Sequence, residues 1–245
     1  ATALFLFPLV LMLIRSFKGE GLHNYVRVFE TVNLAPNFLT SITVVFGTLL
    51  IVSAVAAMAA FAFSKLDFPF KKAIYYMLLT GMMIPTSALI FPLFQIVKGL
   101  KINNTPFSLI FPYATLNCCF NLMVLKNYFD ALPNELIEAA VMDGCKELTI
   151  YHKLVLPLVI PALVTQGVMT FIGTWNSYLT PLIVLNDKNK FTLPLMIATV
   201  RDSTHADYGA QYVGMLVSII PMVIVFCFAS RIIMEKISIG AAVKG

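Results

Sequence analysis

Hydrophobic positions in this chain neither alternate nor recur at short helical spacing; they run on. Five stretches lack Asp, Glu, Lys and Arg and reach the roughly 20 residues that a helix needs to cross a hydrocarbon core. They extend from Phe38 to Phe63, Ala73 to Val97, Ile102 to Leu125, Leu154 to Leu185 and Tyr208 to Ser230. Barrel strands would alternate over about ten residues, so no sheet is expected. A sixth apolar stretch, Ala1 to Ile14, is too short to span and has neither a basic segment before it nor a small-residue cleavage site after it. It reads as a first membrane helix whose beginning lies upstream, in preference to a signal peptide. The expectation is an all-α membrane protein with six transmembrane helices, the first truncated at its start. Prolines at 85, 92, 106, 112, 157, 161, 181 and 221 predict kinked spans packed on other helices. The run from Leu154 is longer than one crossing and must kink, tilt or project.

Composition agrees with lipid as the solvent. The chain is 59% hydrophobic and 12% charged, with a mean hydropathy of +0.87; a soluble domain carries about 25% charged residues. The net charge of +5 is modest and scattered, which suits anionic headgroups and not nucleic acid. Cys118, Cys119, Cys145 and Cys227 form no metal-binding or redox spacing. Before the second span, Leu22, Tyr25, Val26, Phe29 and Val32 form a stripe opposite His23, Arg27 and Glu30, as in a short helix lying in the interface, or in a loop that packs a few aromatics. His23 and His205 sit in polar loops without a partner at any informative spacing. With the first end inside, nine of the seventeen basic residues lie on the inner side and eight on the outer, so charge bias leaves the orientation open.

The five complete spans contain no ionisable acid or base, which argues against a proton or ion relay. Neutral polar groups do occur at depth: Asn117, Asn121, Gln166, Asn176, and Trp175 and Tyr178 beside the last of these. Such residues either hydrogen-bond packed helices together or line a path for an uncharged, hydroxyl-rich solute. There is no phosphate-cradling G-x-x-x-x-G-K-[ST] motif, so an active pump built on this chain needs an ATPase partner. The competing possibility is a stand-alone secondary carrier for a neutral solute; an enzyme lacks any convergent catalytic or metal-binding group.

The longest hydrophilic loop, residues 126–153, reads as two short helices around a turn. Asn134 is positioned to cap the first, with Glu135 and Glu138 near its positive end. Ile137, Ala140 and Val141 form a narrow apolar stripe, and Gly144 stands where a left-handed residue would close the helix. Glu138, Ala139 and Ala140, three residues, Gly144, nine residues, then Leu154 to Pro157 resemble the E-A-A-x3-G-x9-I-x-L-P loop of ABC importer permeases, with Leu154 in place of Ile. The Leu22 to Phe29 stretch, the A-A-F-A-F-S-K-L-D-F-P segment from Ala59 to Pro69, Met83 to Pro85, Trp175 to Tyr178 and the closing G-A-A-V-K-G are similar to the carbohydrate-uptake branch, maltose-type. Lys236 departs from the glycine that many relatives carry before the tail.

This resemblance implies a single permease domain over 1–245 in the cytoplasmic membrane of a prokaryote. It also implies pairing with a second permease subunit and two ATP-binding subunits, which would hold the ATP and Mg, and delivery of a sugar by an extracytoplasmic binding protein. It places both termini and the 126–153 loop in the cytoplasm. Glu138, Ala139, Ala140, Asp143 and Gly144 would dock an ATPase subunit, and Lys244 and Gly245 would end a tail, 231–245, that reaches the ATPase pair. The loop from Asn186 to Asp207 would face the binding protein, with Lys190 and Arg201 as contacts in a mixed-charge rim or simply as solvated residues. No cofactor is expected in this chain itself.

Overall fold

The computed structural model describes residues 2–31, 34–203 and 208–242, and the side chains of 6–30, 34–199 and 208–234. Among these residues thirteen α-helices follow one another: α1 (Thr2–Ser16), α2 (His23–Thr31), α3 (Leu34–Lys65), α4 (Lys71–Thr80), α5 (Thr86–Gly99), α6 (Phe107–Asp130), α7 (Asn134–Met142), α8 (Glu147–Thr149), α9 (Leu156–Leu158), α10 (Ile160–Trp175), α11 (Leu179–Val184), α12 (Leu193–Ser203) and α13 (Tyr208–Ala242). A π-helical turn, Ile150–Val155, joins α8 to α9. No strand occurs among the described residues.

Among the described residues, three helices are long and apolar enough to cross a membrane unaided: α3, α6 and the Tyr208–Met234 part of α13. Two further candidate spans are bent pairs, Lys71–Met83 with Thr86–Gly99 at 98° and Glu147–Leu158 with Ile160–Trp175 at 75°. The span expected from Ala73 to Val97, kinked by proline, is accordingly two arms. The cause is Pro85, which disfavours helical backbone at the preceding residue; Ile84 is extended, with φ −80° and ψ 120°. The long run from Leu154 to Leu185 is likewise divided, at Val159 between Pro157 and Pro161 and again after Trp175. Pro112 and Pro221 sit inside unbroken α6 and α13, and Pro106 caps α6.

α3 is the central element. It meets α6 along small residues: a Cβ added at Gly47 would lie 2.7 Å from Ile110 Cδ1, so the glycine permits the close crossing. Below that contact, Ala56, Ala57 and Ala60 of α3 are buried with Leu125 and Phe129 of α6 and with Tyr151 and Val155. Toward the other end, Val45 of α3 packs with Phe171 and Trp175 of α10, Leu193 and Ile197 of α12, and Val213 of α13. A third cluster joins Val44, Val97, Leu109, Tyr113, Val184 and Leu185. α2 is helical as expected, but its buried residues are Asn24 and Val28, while Leu22, Val26 and Phe29 are exposed. Leu22, Val26 and Phe29 thus face outward, where an interfacial helix would meet lipid, while Tyr25 packs on the core.

Candidate functional site

α7 stands out from the body of the subunit. None of its side chains is buried; Ile137 and Ala140 rest half-covered on the core beside Leu132. Asp143, Gly144 and Cys145 then reverse the chain. Gly144 has φ +77°, its N–H donates to Val141 O at 2.9 Å, and the Cys145 N–H donates to Ala140 O at 3.0 Å. These two bonds satisfy the last carbonyls of α7 and require the left-handed residue between them, as the sequence anticipates. Glu138, Ala139 and Asp143 are exposed on the same projecting segment. Three apolar neighbours not singled out by the sequence share that exposure: Leu136 at 42%, Met142 at 87% and Leu148 at 68%. Large exposed apolar groups clustered beside a turn suit a contact surface, and their lack of a recurrent motif hid them from sequence reasoning.

Two expectations for this loop are corrected. Asn134 does not cap α7: Pro133 occupies the cap position with no side-chain cap bond, and Asn134 Oδ1 accepts from Lys65 Nζ at 2.8 Å. Only Glu135 lies in the first turn of α7, so Glu138 is one turn removed from the positive helix end.

The neutral polar residues at depth divide between two environments. Trp175 is 2% exposed, stacked on Phe171 with ring centroids 5.5 Å apart, edge-on to Phe38, and donates its Nε1–H to Ser218 O at 3.1 Å. Asn176 and Tyr178 lie on the exposed side of the same break, and the three side chains do not converge on one surface. Asn121 and Gln166 belong instead to a chain of hydrogen bonds between helices, while the Asn117 side chain donates back to Tyr113 O within α6 at 2.8 Å. Ser53 Oγ donates to Gln166 Oε1 at 3.2 Å; Gln166 Nε2 and Asn121 Nδ2 both donate to Thr170 Oγ1, at 3.2 and 3.1 Å. Asn121 also donates to Asn117 O at 2.8 Å. This network ties α3, α6 and α10 together across their interior.

At the opposite end of the subunit, the segment after α11 is held by two asparagines. Asn37 Nδ2, in a side chain 1% exposed, donates to Lys188 O at 2.7 Å and Phe191 O at 3.0 Å. Asn104, left-handed at φ +57°, accepts from the backbone N–H groups of Asn186 and Asp187, both at 3.2 Å. Lys188, Asn189 and Lys190 are thereby presented as a fixed, exposed turn. Asn37→Leu should free this turn and speed tryptic cleavage after Lys188 and Lys190 about tenfold, the effect of losing roughly 1.4 kcal/mol of local hydrogen bonding. Unchanged cleavage on a gel time course would mean that Asn37 does not hold it. The side chain of Arg201, and Lys244 and Gly245 entirely, lie outside the described residues.

An all-helical subunit with several apolar spans and a projecting helix-turn segment is the architecture of a multi-pass membrane permease. Residues 52–238 match the family described as the binding-protein-dependent transport system inner membrane component, and the chain belongs to that family. It is a non-enzymatic permease component of a cell membrane; ATP hydrolysis lies in separate subunits of such systems, which also work with a binding protein. Among curated relatives, the chain is 29% identical to the diacetylchitobiose uptake system permease protein NgcG of Streptomyces coelicolor, over 95% of this chain and 82% of that one. It is 31% identical to the trehalose transport system permease protein SugB of Mycobacterium tuberculosis, over 91% of this chain and 81% of that one. Its fold is that of a chain from a bacterial ABC transporter importing the acidic polysaccharide alginate, with a TM-score of 0.75 over 85% of this chain and 78% of that one at 22% identity.

Proposed function

We propose that this subunit moves a sugar or oligosaccharide, delivered by an extracytoplasmic binding protein, into the cytoplasm of a prokaryote. The observation that carries this reading is the similarity to sugar-uptake permeases along nearly the whole chain, combined with spans that offer a solute neutral amides, hydroxyls and aromatics and no charge. In this reading the protein has six membrane helices, with α1 belonging to the first. The 126–153 loop is cytoplasmic, and Glu138, Ala139, Ala140, Asp143 and Gly144 dock one of two ATP-binding subunits, which bind ATP and Mg. The tail ending in Lys244 and Gly245 reaches the same pair. A second permease subunit completes the pathway, Asn176 and Tyr178 face it, and Trp175, Asn117, Asn121 and Gln166 brace it from within. Lys190 and Arg201 belong to the rim that meets the binding protein.

The test is uptake of radiolabelled disaccharides and short oligosaccharides by vesicles holding the assembled transporter and its binding protein. Uptake is expected to require ATP and to survive collapse of ion gradients by an ionophore. Asn176→Ala should lower uptake about tenfold while leaving assembly intact, the size of effect expected when one hydrogen-bonding group to a solute is lost. Uptake without ATP that ends with the gradient would establish a secondary carrier instead.

A further inference from the structure

The A-A-F-A-F-S-K segment ends α3 with two polar side chains, and both reach across to the stretch that leads into α7. Ser64 Oγ donates to Asp130 Oδ1 at 2.7 Å. Lys65 Nζ donates to Leu132 O at 2.7 Å and to Asn134 Oδ1 at 2.8 Å. The second carboxylate oxygen of Asp130 accepts from Lys126 Nζ at 2.6 Å, and Lys126 lies over the Tyr75 ring of α4, 5.2 Å from its centroid. A lysine in the last turn of a helix ordinarily serves its own terminal carbonyls. The acceptors of Lys65 lie 67 and 69 positions further along the chain.

Those acceptors flank Pro133, which has no N–H to offer, so the short turn between α6 and α7 has little hydrogen bonding of its own to set a direction. Ala131 and Leu132 bond back only to α6, at 3.3 and 3.2 Å. A charged donor held on both sides of the proline supplies that direction. After α7 the chain passes through Gly144 and the 147–158 segment, then turns 75° before α10. Hydrogen bonds therefore join α7 to α3 and α6, while a bend separates it from α10.

We propose that Lys65 is the positioning residue of α7: by bonding Leu132 O and Asn134 Oδ1 together, it makes α7 move as one body with α3 and α6. A displacement of α7 by a docked ATPase subunit then reaches the spans through α3 and α6, and the bend at Val159 takes up the change of angle toward α10. The inference rests on the reading of α7 as the docking helix.

The experiment compares Lys65→Met and Lys65→Arg with the parent in the assembled transporter in lipid nanodiscs. Three quantities are read: amide hydrogen exchange over residues 135–142, retention of the ATPase subunits, and solute-stimulated against unstimulated ATP hydrolysis. Lys65→Met should keep the ATPase subunits, because the exposed face of α7 is untouched. Exchange in α7 should rise about tenfold, as expected on losing a charge-assisted hydrogen bond, and stimulated hydrolysis should fall while the unstimulated rate stays. Lys65→Arg should restore both, since guanidinium can serve the same acceptors. Parental exchange and stimulation in Lys65→Met would overturn the proposal, as would a defect that arginine does not repair. If Lys65→Met fails to insert, Asn134→Ala, which removes one exposed acceptor, takes its place with the same expected directions. Parental docking in variants of Gly144 and Glu138 would instead sink the docking reading, and exchange in α7 would still decide whether Lys65 holds it.

Discussion

Replacing Gly144 with leucine should leave the subunit in the membrane and abolish most solute-stimulated ATP turnover. The residue sits at φ +77°, where a side chain with a Cβ costs about 1–2 kcal/mol. Nothing lies within 4 Å of an added Cβ, so the subunit itself offers no clash and the damage falls on the presented surface. Strain opens the two bonds that close α7, and a leucine side chain stands where a partner must approach Ala139 and Glu138. Gly144→Asn, which tolerates the left-handed region better, should be milder. Glu138→Lys should weaken docking through charge reversal on the exposed face, less severely than Gly144→Leu. Pull-down of the ATPase subunit and stimulated hydrolysis in reconstituted vesicles read all three. Parental values for both Gly144→Leu and Glu138→Lys would remove the loop from the coupling role.

Among the described glycines, Gly209→Ala is expected to be the most destabilising substitution. A Cβ there would lie 2.6 Å from the backbone oxygen of Lys18 and would strike the side-chain amide of Asn24. Asn24 is fully buried and donates to Ser16 O at 2.8 Å and Lys18 O at 3.0 Å. The amide can retreat only by abandoning two backbone carbonyls, and the Lys18 oxygen can retreat only by moving the chain after α1. Overpacking together with lost hydrogen bonds should cost about 2–4 kcal/mol and lower the melting temperature in detergent. Gly99→Ala, where an added Cβ meets nothing within 4 Å, is the matched control and should melt with the parent. Equal melting of the two variants would show that α13 and the turn after α1 adjust freely.

Runs of uncharged residues made the spans legible, because lipid imposes one demand along a whole helix. α3, α6 and α13 follow that demand closely. The same runs could not tell a straight span from a bent one. Pro85 breaks its helix and Pro221 does not, and the bare presence of a proline in a run does not separate the two cases. Gly144 was readable because a glycine after an amphipathic turn has one dominant use. Asn134 misled for the converse reason: local rules assign it to the helix behind it, and a lysine 69 positions earlier holds it instead. In α2 the stripe predicted the helix, yet Asn24 is buried while Leu22, Val26 and Phe29 of that stripe are exposed. Trp175, Asn176 and Tyr178 are neighbours in sequence, but the helix ends between the first two and sends their side chains apart.

α13 carries its most apolar stretch with only 17% of it buried, and Ile220, Val223, Ile224, Phe226 and Phe228 are between 49% and 68% exposed. Lipid tails are as apolar as these side chains, so covering them with another protein gains little hydrophobic free energy. Such a surface is permissive toward neighbours: exchange among Ile, Val, Leu and Phe would pass without loss as long as the helix stays apolar. Choice of partner must then reside in features that lipid cannot imitate, such as close-packed small residues, hydrogen bonds and the polar ends of helices. Wherever this exposed face of α13 meets lipid, it is thus free to drift in sequence while the assembly stays the same.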